Sequence, residues 1–150
     1  SRGRMSDTGT GTQYAGMASM ALAEGLLGSG DVWGALRAAR GAVAAAVKRG
    51  SKVSVARSRV TLGRVLLAAG ELTECEGQLE MALDHGAGVE RATTPRAYET
   101  LASLAEVRND VSRRIQCLEL ALEGYTAGGA TIHRRRVERE LATASGIRRP

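Results

Sequence analysis

The chain has 150 residues, 43% of them apolar and only 3% aromatic, with no Phe, and a net charge of +5 from 21 basic and 16 acidic side chains. One domain is the expected size class, and with so few rings its core must be filled by Ala, Leu and Val, which favours close helix–helix contact and disfavours an all-β architecture. Cys75 and Cys117 are too few and too far apart for a disulfide framework, no Cys/His spacing suits zinc, and a reduced cytoplasmic setting is expected.

Residues 1–12 are rich in Ser, Gly and Thr without an apolar period, and read as a flexible lead or tag remnant. The stretch Ala15–Leu27 is apolar but broken by Glu24 and several glycines, so it reads as an amphipathic helix rather than a membrane span or a signal-peptide core. Apolar spacing predicts paired helices over 13–28 and 31–48, 53–69 and 72–85, and 93–108 and 111–125, followed by one more over 131–144. That last helix has only Ile132, Val137, Leu141 and Ala142 as a stripe among charges, which suits a cap with one face on its neighbour and the other in water. The plan is one domain over 13–145 with a basic tail over 146–150.

The pairs repeat. Gly30-Asp31-Val32, Gly70-Glu71-Leu72 and Asn109-Asp110-Val111 each set a small turn residue before an acid and an aliphatic, at spacings of 40 and 39 residues. Gly or Asn can take the left-handed conformation that ends one helix, and the acid favours the positive start of the next. Twelve residues on come Ala42, Ala82 and Ala121; eight residues back come Leu22-Ala23, Leu62-Gly63 and Leu101-Ala102. A tiny residue lets the second helix cross at short range while the neighbouring Leu fills the space beside it. Each hairpin still leaves an apolar face uncovered, and covering it with the next hairpin makes a solenoid.

Leu62-Gly63-Arg64-Val65-Leu66-Leu67-Ala68-Ala69-Gly70-Glu71-Leu72 resembles the tetratricopeptide repeat: Leu then Gly or Ala in the first helix, an aliphatic soon after, and Gly then an acid at the turn. Small residues at two places in the second helix complete the likeness, at Ala35 and Ala42, Cys75 and Ala82, and Ala121. Arg114 departs from it, and implies either a wider third hairpin or an Arg whose stem lies along the surface. The spacing also exceeds the family's 34 residues, and is similar to the longer variant in C-terminal regions of bacterial transcriptional regulators such as maltose-regulator-like ATPases. The resemblance implies an all-α fold, a right-handed α-α superhelix of three helical hairpins closed by a C-terminal capping helix.

It also implies a concave groove lined by first-helix residues: Met17, Met20, Glu24 and Leu27; then Arg57, Val60, Arg64 and Leu67; then Arg96, Glu99, Ser103 and Glu106. The family variant that clamps a peptide's terminal carboxylate needs Lys, Asn and Arg at places filled here by Met20, Glu24, Val60, Arg64, Glu99 and Ser103, so that clamp is absent. What remains suits an amphipathic helix or an extended peptide, with the Met side chains adapting and Arg57 and Arg64 meeting acids. The expected partner is a protein or peptide of a bacterial regulatory system; the alternative is a small-molecule-sensing segment of a regulator.

Residues themselves offer no catalytic, cofactor or metal constellation, so the chain reads as a non-enzyme. The glycines lack the spacing of nucleotide loops, Cys75 sits at a packing position, and His85 and His133 near helix ends suit capping or surface roles. The charges are blocked: eight bases and no acid between Asp31 and Glu71, then six acids and no base from Glu71 to Glu90. Pairing of helix 31–48 with helix 72–85 inside the chain is favoured over a homo-oligomer joined through the same blocks. Nucleic-acid binding through Arg134, Arg135, Arg136, Arg139, Arg148 and Arg149 is the weakest reading, because Glu138 and Glu140 interrupt the stretch and no aromatics interleave it.

Overall fold

The computed structural model describes residues 18–86 and 93–146. The lead over 1–12, Met17, the side chain of His85, and Arg148 and Arg149 of the tail lie outside the described residues. The fold is all-α, with no strand among the described residues. The helices are α1 (18–28), α2 (Val32–Arg49), α3 (Lys52–Ala68), α4 (Leu72–Gly86), α5 (Thr93–Val107), α6 (Val111–Ala127) and α7 (Thr131–Ala144).

All three breakpoints fold alike. Gly30, Gly70 and Asn109 have φ of 89°, 80° and 57°. At each, the following acid's N–H donates five residues back around the turn: Asp31 to Leu26 O at 2.8 Å, Glu71 to Leu66 O at 2.9 Å and Asp110 to Ala105 O at 2.8 Å. The turn residue's own N–H donates to Leu27, Leu67 or Glu106 O at 3.0–3.1 Å, so two orphan carbonyls of the ending helix are satisfied each time. The side chains of Asp31 and Asp110 then accept from the N–H of Gly34 and Arg113, at 2.9 and 3.1 Å, and cap the next helix.

The small residues set the helix spacing. Ala35, Cys75, Ala42, Ala82 and Ala121 are all at most 2% exposed, and a Cβ at Gly63 would stand 2.8 Å from Leu79 Cδ2, so α3 and α4 approach through that missing carbon. Gly124 makes the same accommodation for Pro95, whose Cβ and Cγ lie 2.9 and 3.1 Å from the place a Gly124 Cβ would take. Pro95 sits in the first turn of α5, where no intrahelical N–H partner is lost. Burial binds these elements into one apolar cluster from Ala23 through Leu66, Leu79 and Leu118 to Val137 on α7, and each buried Leu contributes about 2 kcal/mol. Arg114 is 19% exposed, with Nη2 3.5 Å from Glu106 Oε2 across its own hairpin.

From α2 to α7 consecutive helices pack on one another, and α3 also touches α5, the first helix of the next hairpin. Arg40 on α2 forks the carboxylate of Glu74 on α4, Nη1 to Oε2 at 2.6 Å and Nη2 to Oε1 at 2.9 Å. One pair of the two charge blocks therefore meets inside the chain, and the fork holds the Glu74 carboxyl below the usual carboxylate range.

Candidate functional site

A cleft of about 720 Å³ opens where the first helices lie side by side. Helix periodicity explains its walls: Arg96, Glu99, Thr100 and Ser103 recur at three- and four-residue steps, so α5 presents them on one face, while α3 supplies Arg64 and Leu67 and α1 supplies Leu27. Tyr125 of α6 and His133 and Arg136 of α7 close the far side.

Two carboxylates organise the charge. Glu99, 19% exposed, accepts from Tyr125 Oη at 2.6 Å, from Arg136 Nη2 at 2.7 Å and from Arg136 Nε at 3.0 Å. Burial pushes its carboxyl up, but the bonds and charge of Arg136 and Tyr125 outweigh that and hold it below the usual range. Tyr125 is shifted the other way, its phenol raised by burial and by donating to Glu99. Its ring stacks on His133 with centroids 4.9 Å apart. Since Arg136 Nη2 lies 2.8 Å from His133 Nδ1 and a guanidinium can only donate, that nitrogen is the acceptor.

Glu24 organises the other end. Arg64 Nη1 donates to its Oε1 at 2.6 Å, and Arg96 Nη2 stands 3.9 Å from the same oxygen. Three helices, α1, α3 and α5, thus converge on one carboxylate.

Of the expected groove residues, Leu27, Arg64, Leu67, Arg96, Glu99 and Ser103 line this cleft and Glu24 sits at its edge. Val60 does not: at 2% exposure it belongs to the core, covered by neighbouring side chains although it shares a helix face with Arg64 and Leu67. Met20 is half-buried and Arg57 half-buried, neither lining the cleft, and Glu106 is directed to Arg114 instead. His133 does more than cap a surface, being stacked and bonded in the cleft wall.

Tyr125, His133 and Arg136 escape a first-helix reading of three hairpins. A signal for two of them exists. Gly146 has φ of 70°, like the three breakpoints, and its N–H donates to Thr143 O at 3.2 Å. Counting back from Gly146 as from Asn109 places His133, Arg136 and Glu140 at the positions of Arg96, Glu99 and Ser103. Helix α7 therefore shares the spacing of the first helices and supplies His133 and Arg136 to the cleft wall.

The small hydroxyls of the cleft are engaged by their own helix. Thr100 and Ser103 direct their hydroxyls to the carbonyls of Arg96 and Glu99, at 3.0 and 3.3 Å. Cys75 and Cys117 are buried elsewhere in the core. Among the described residues no group of three or more His, Cys, Asp or Glu is placed to hold a metal ion, and no helix is long and apolar enough to cross a membrane. No protein-family model matches the chain, and no curated protein does.

Proposed function

We propose that this chain is a tetratricopeptide-like repeat module, a right-handed superhelix of hairpins whose inner face binds a peptide segment of a partner protein within a bacterial regulatory system. The observation that carries the reading is the cleft itself: leucines and guanidiniums from the first helices of successive hairpins share one open wall. Leu27 and Leu67 offer apolar contact, while Arg64, Arg96 and Arg136 offer planar donors suited to polar groups along a chain. A preformed wall on rigid helices limits the ordering cost of binding.

The test is selection of peptides from a random display library on the purified protein, with Leu67→Glu and Arg64→Glu as controls. Enriched peptides that bind the parent and lose at least about tenfold in affinity on both variants support the reading. Peptides that bind both variants as well as the parent overturn it. The cleft volume also lies within the range of small-ligand sites, roughly 300–1,000 Å³; a metabolite screen by thermal shift on the same variants distinguishes that reading.

A further inference from the structure

We infer that the space between Arg64 and Arg96 is a seat for a carboxylate of an acidic, leucine-containing peptide, and that Glu24 occupies this seat as an internal competitor until the peptide displaces it. The inference rests on the peptide-binding reading and adds the chemistry of the ligand and the device that regulates the site.

The molecule already displays the complex in miniature. A carboxylate sits on Arg64 Nη1 at 2.6 Å with Arg96 Nη2 3.9 Å away, which fixes the kind of group the pair accepts. The two carboxylates of the cleft are not equivalent. Glu99 is held by three hydrogen bonds from two side chains and is 19% exposed. Glu24 has one short bond, at 33% exposure, and its two Arg partners are 41% and 42% exposed. A solvent-exposed pair of that kind contributes little to stability, so exchanging its acid for another is a near-balanced swap. Glu99 is built in; Glu24 is replaceable.

Charge complementarity points the same way. Glu140 and Glu99 both act on Arg136, whereas at the other end two guanidiniums, Arg64 and Arg96, face the single carboxylate of Glu24. Leu27 and Leu67 follow Glu24 and Arg64 by three residues, on the same helix faces. An acid beside an aliphatic residue matches that order of guanidinium and leucine. Displaced Glu24 returns to water, where its charge is fully solvated.

The experiment measures fluorescence anisotropy of a labelled Glu-Leu-Glu-Leu-Glu-Leu peptide, its Gln-for-Glu counterpart and its phosphoserine-for-Glu counterpart. The proteins are the full chain, Glu24→Gln, Glu24→Ala, Arg64→Ala and Arg96→Ala, each checked by circular dichroism for unchanged helicity. The expected results are about threefold tighter binding of the Glu peptide to both Glu24 variants and at least about tenfold weaker binding to Arg64→Ala. Arg96→Ala is expected to weaken binding less than Arg64→Ala. Equal or weaker binding by both Glu24 variants overturns the competitor role. Equal binding of the Gln peptide overturns the carboxylate seat while leaving peptide binding in the cleft standing, and binding of the phosphoserine peptide alone overturns the carboxylate assignment. If no peptide from this set or from the display library binds, the cleft reading and the seat fall together.

Discussion

The guanidinium of Arg136 and the carboxylate of Glu99 form a two-pronged ion pair, 2.7 and 3.0 Å long, that ties α7 to α5 across the cleft. Because Glu99 is only 19% exposed, removing its charge strands Arg136 and leaves the Tyr125 hydroxyl a poorer acceptor. Glu99→Gln is expected to lower stability by about 2 kcal/mol, read as a lower urea midpoint. Hydrogen exchange should show the loss concentrated in α7.

The pH dependence has two opposing acids. Glu99 titrates below the usual range in the folded chain, so its stabilisation is present above the unfolded glutamate value and disappears as pH falls through the lower folded one. Glu140 is raised, by burial first and by the charge of Glu99 second, so it opposes folding at neutral pH and the penalty is relieved as pH falls. Glu140→Gln is therefore expected to gain stability at pH 7, by less than about 1 kcal/mol after solvent screening. Below about pH 4 its advantage should vanish. Urea midpoints of both proteins between pH 2.5 and 7, a span set around ordinary carboxylate values, check the crossing.

Glycine substitutions should separate by position. Gly63→Ala places a carbon 2.8 Å from Leu79, which is fully buried and has no room to retreat. Overpacking of that kind costs about 1–3 kcal/mol, and a gain of about 1 kcal/mol in helix propensity offsets only part. Gly41→Ala meets nothing within 4 Å in the interior of α2 and should stabilise by about 0.5–1 kcal/mol. Thermal denaturation of the two variants shifts in opposite directions if the α3–α4 spacing is set as described.

Thiol chemistry gives a check on the core. Cys75 is 0% exposed, and burial pushes its thiol up to about 11; Cys117 is equally buried and also raised. Neither forms much thiolate at neutral pH. With a chromogenic disulfide reagent at pH 8, native protein should react slowly at both thiols and denatured protein at once. Fast labelling of Cys75 in folded protein contradicts its place in the core.

Capping predicts a smaller effect. Asp31→Ala and Asp110→Ala each remove a bond to a helix N-terminus and should cost about 1 kcal/mol. Asn109→Gly relieves a left-handed non-glycine residue, φ of 57°, and should stabilise by a few tenths of a kcal/mol. Equilibrium unfolding of the three variants measures both signs.

Helix positions were legible in the sequence because the strongest local signals, Gly or Asn followed by an acid and an aliphatic, coincide with the tertiary turns. Bounds expected from apolar spacing differ from those of α2 to α7 by at most two residues. The cleft was legible where one rule sufficed, the three- and four-residue step on first helices that brings Arg96, Glu99 and Ser103 together. It failed at Val60, since a face assignment says which residues share a side but not how deeply the neighbours cover it. It also missed α7's contribution, because Gly146 lacks the acid and aliphatic pair that marks the other breakpoints. The Glu24–Arg64 pair spans 40 residues, and only folding brings it together.

Leu22, Leu62 and Leu101 occupy one position in three hairpins, yet they are 55%, 2% and 3% exposed. Identical side chains at matching positions thus differ in how far the described helices cover them. The two ends of the described helices therefore differ in chemistry: α1 offers an apolar side chain, whereas α7 carries a heavily charged surface.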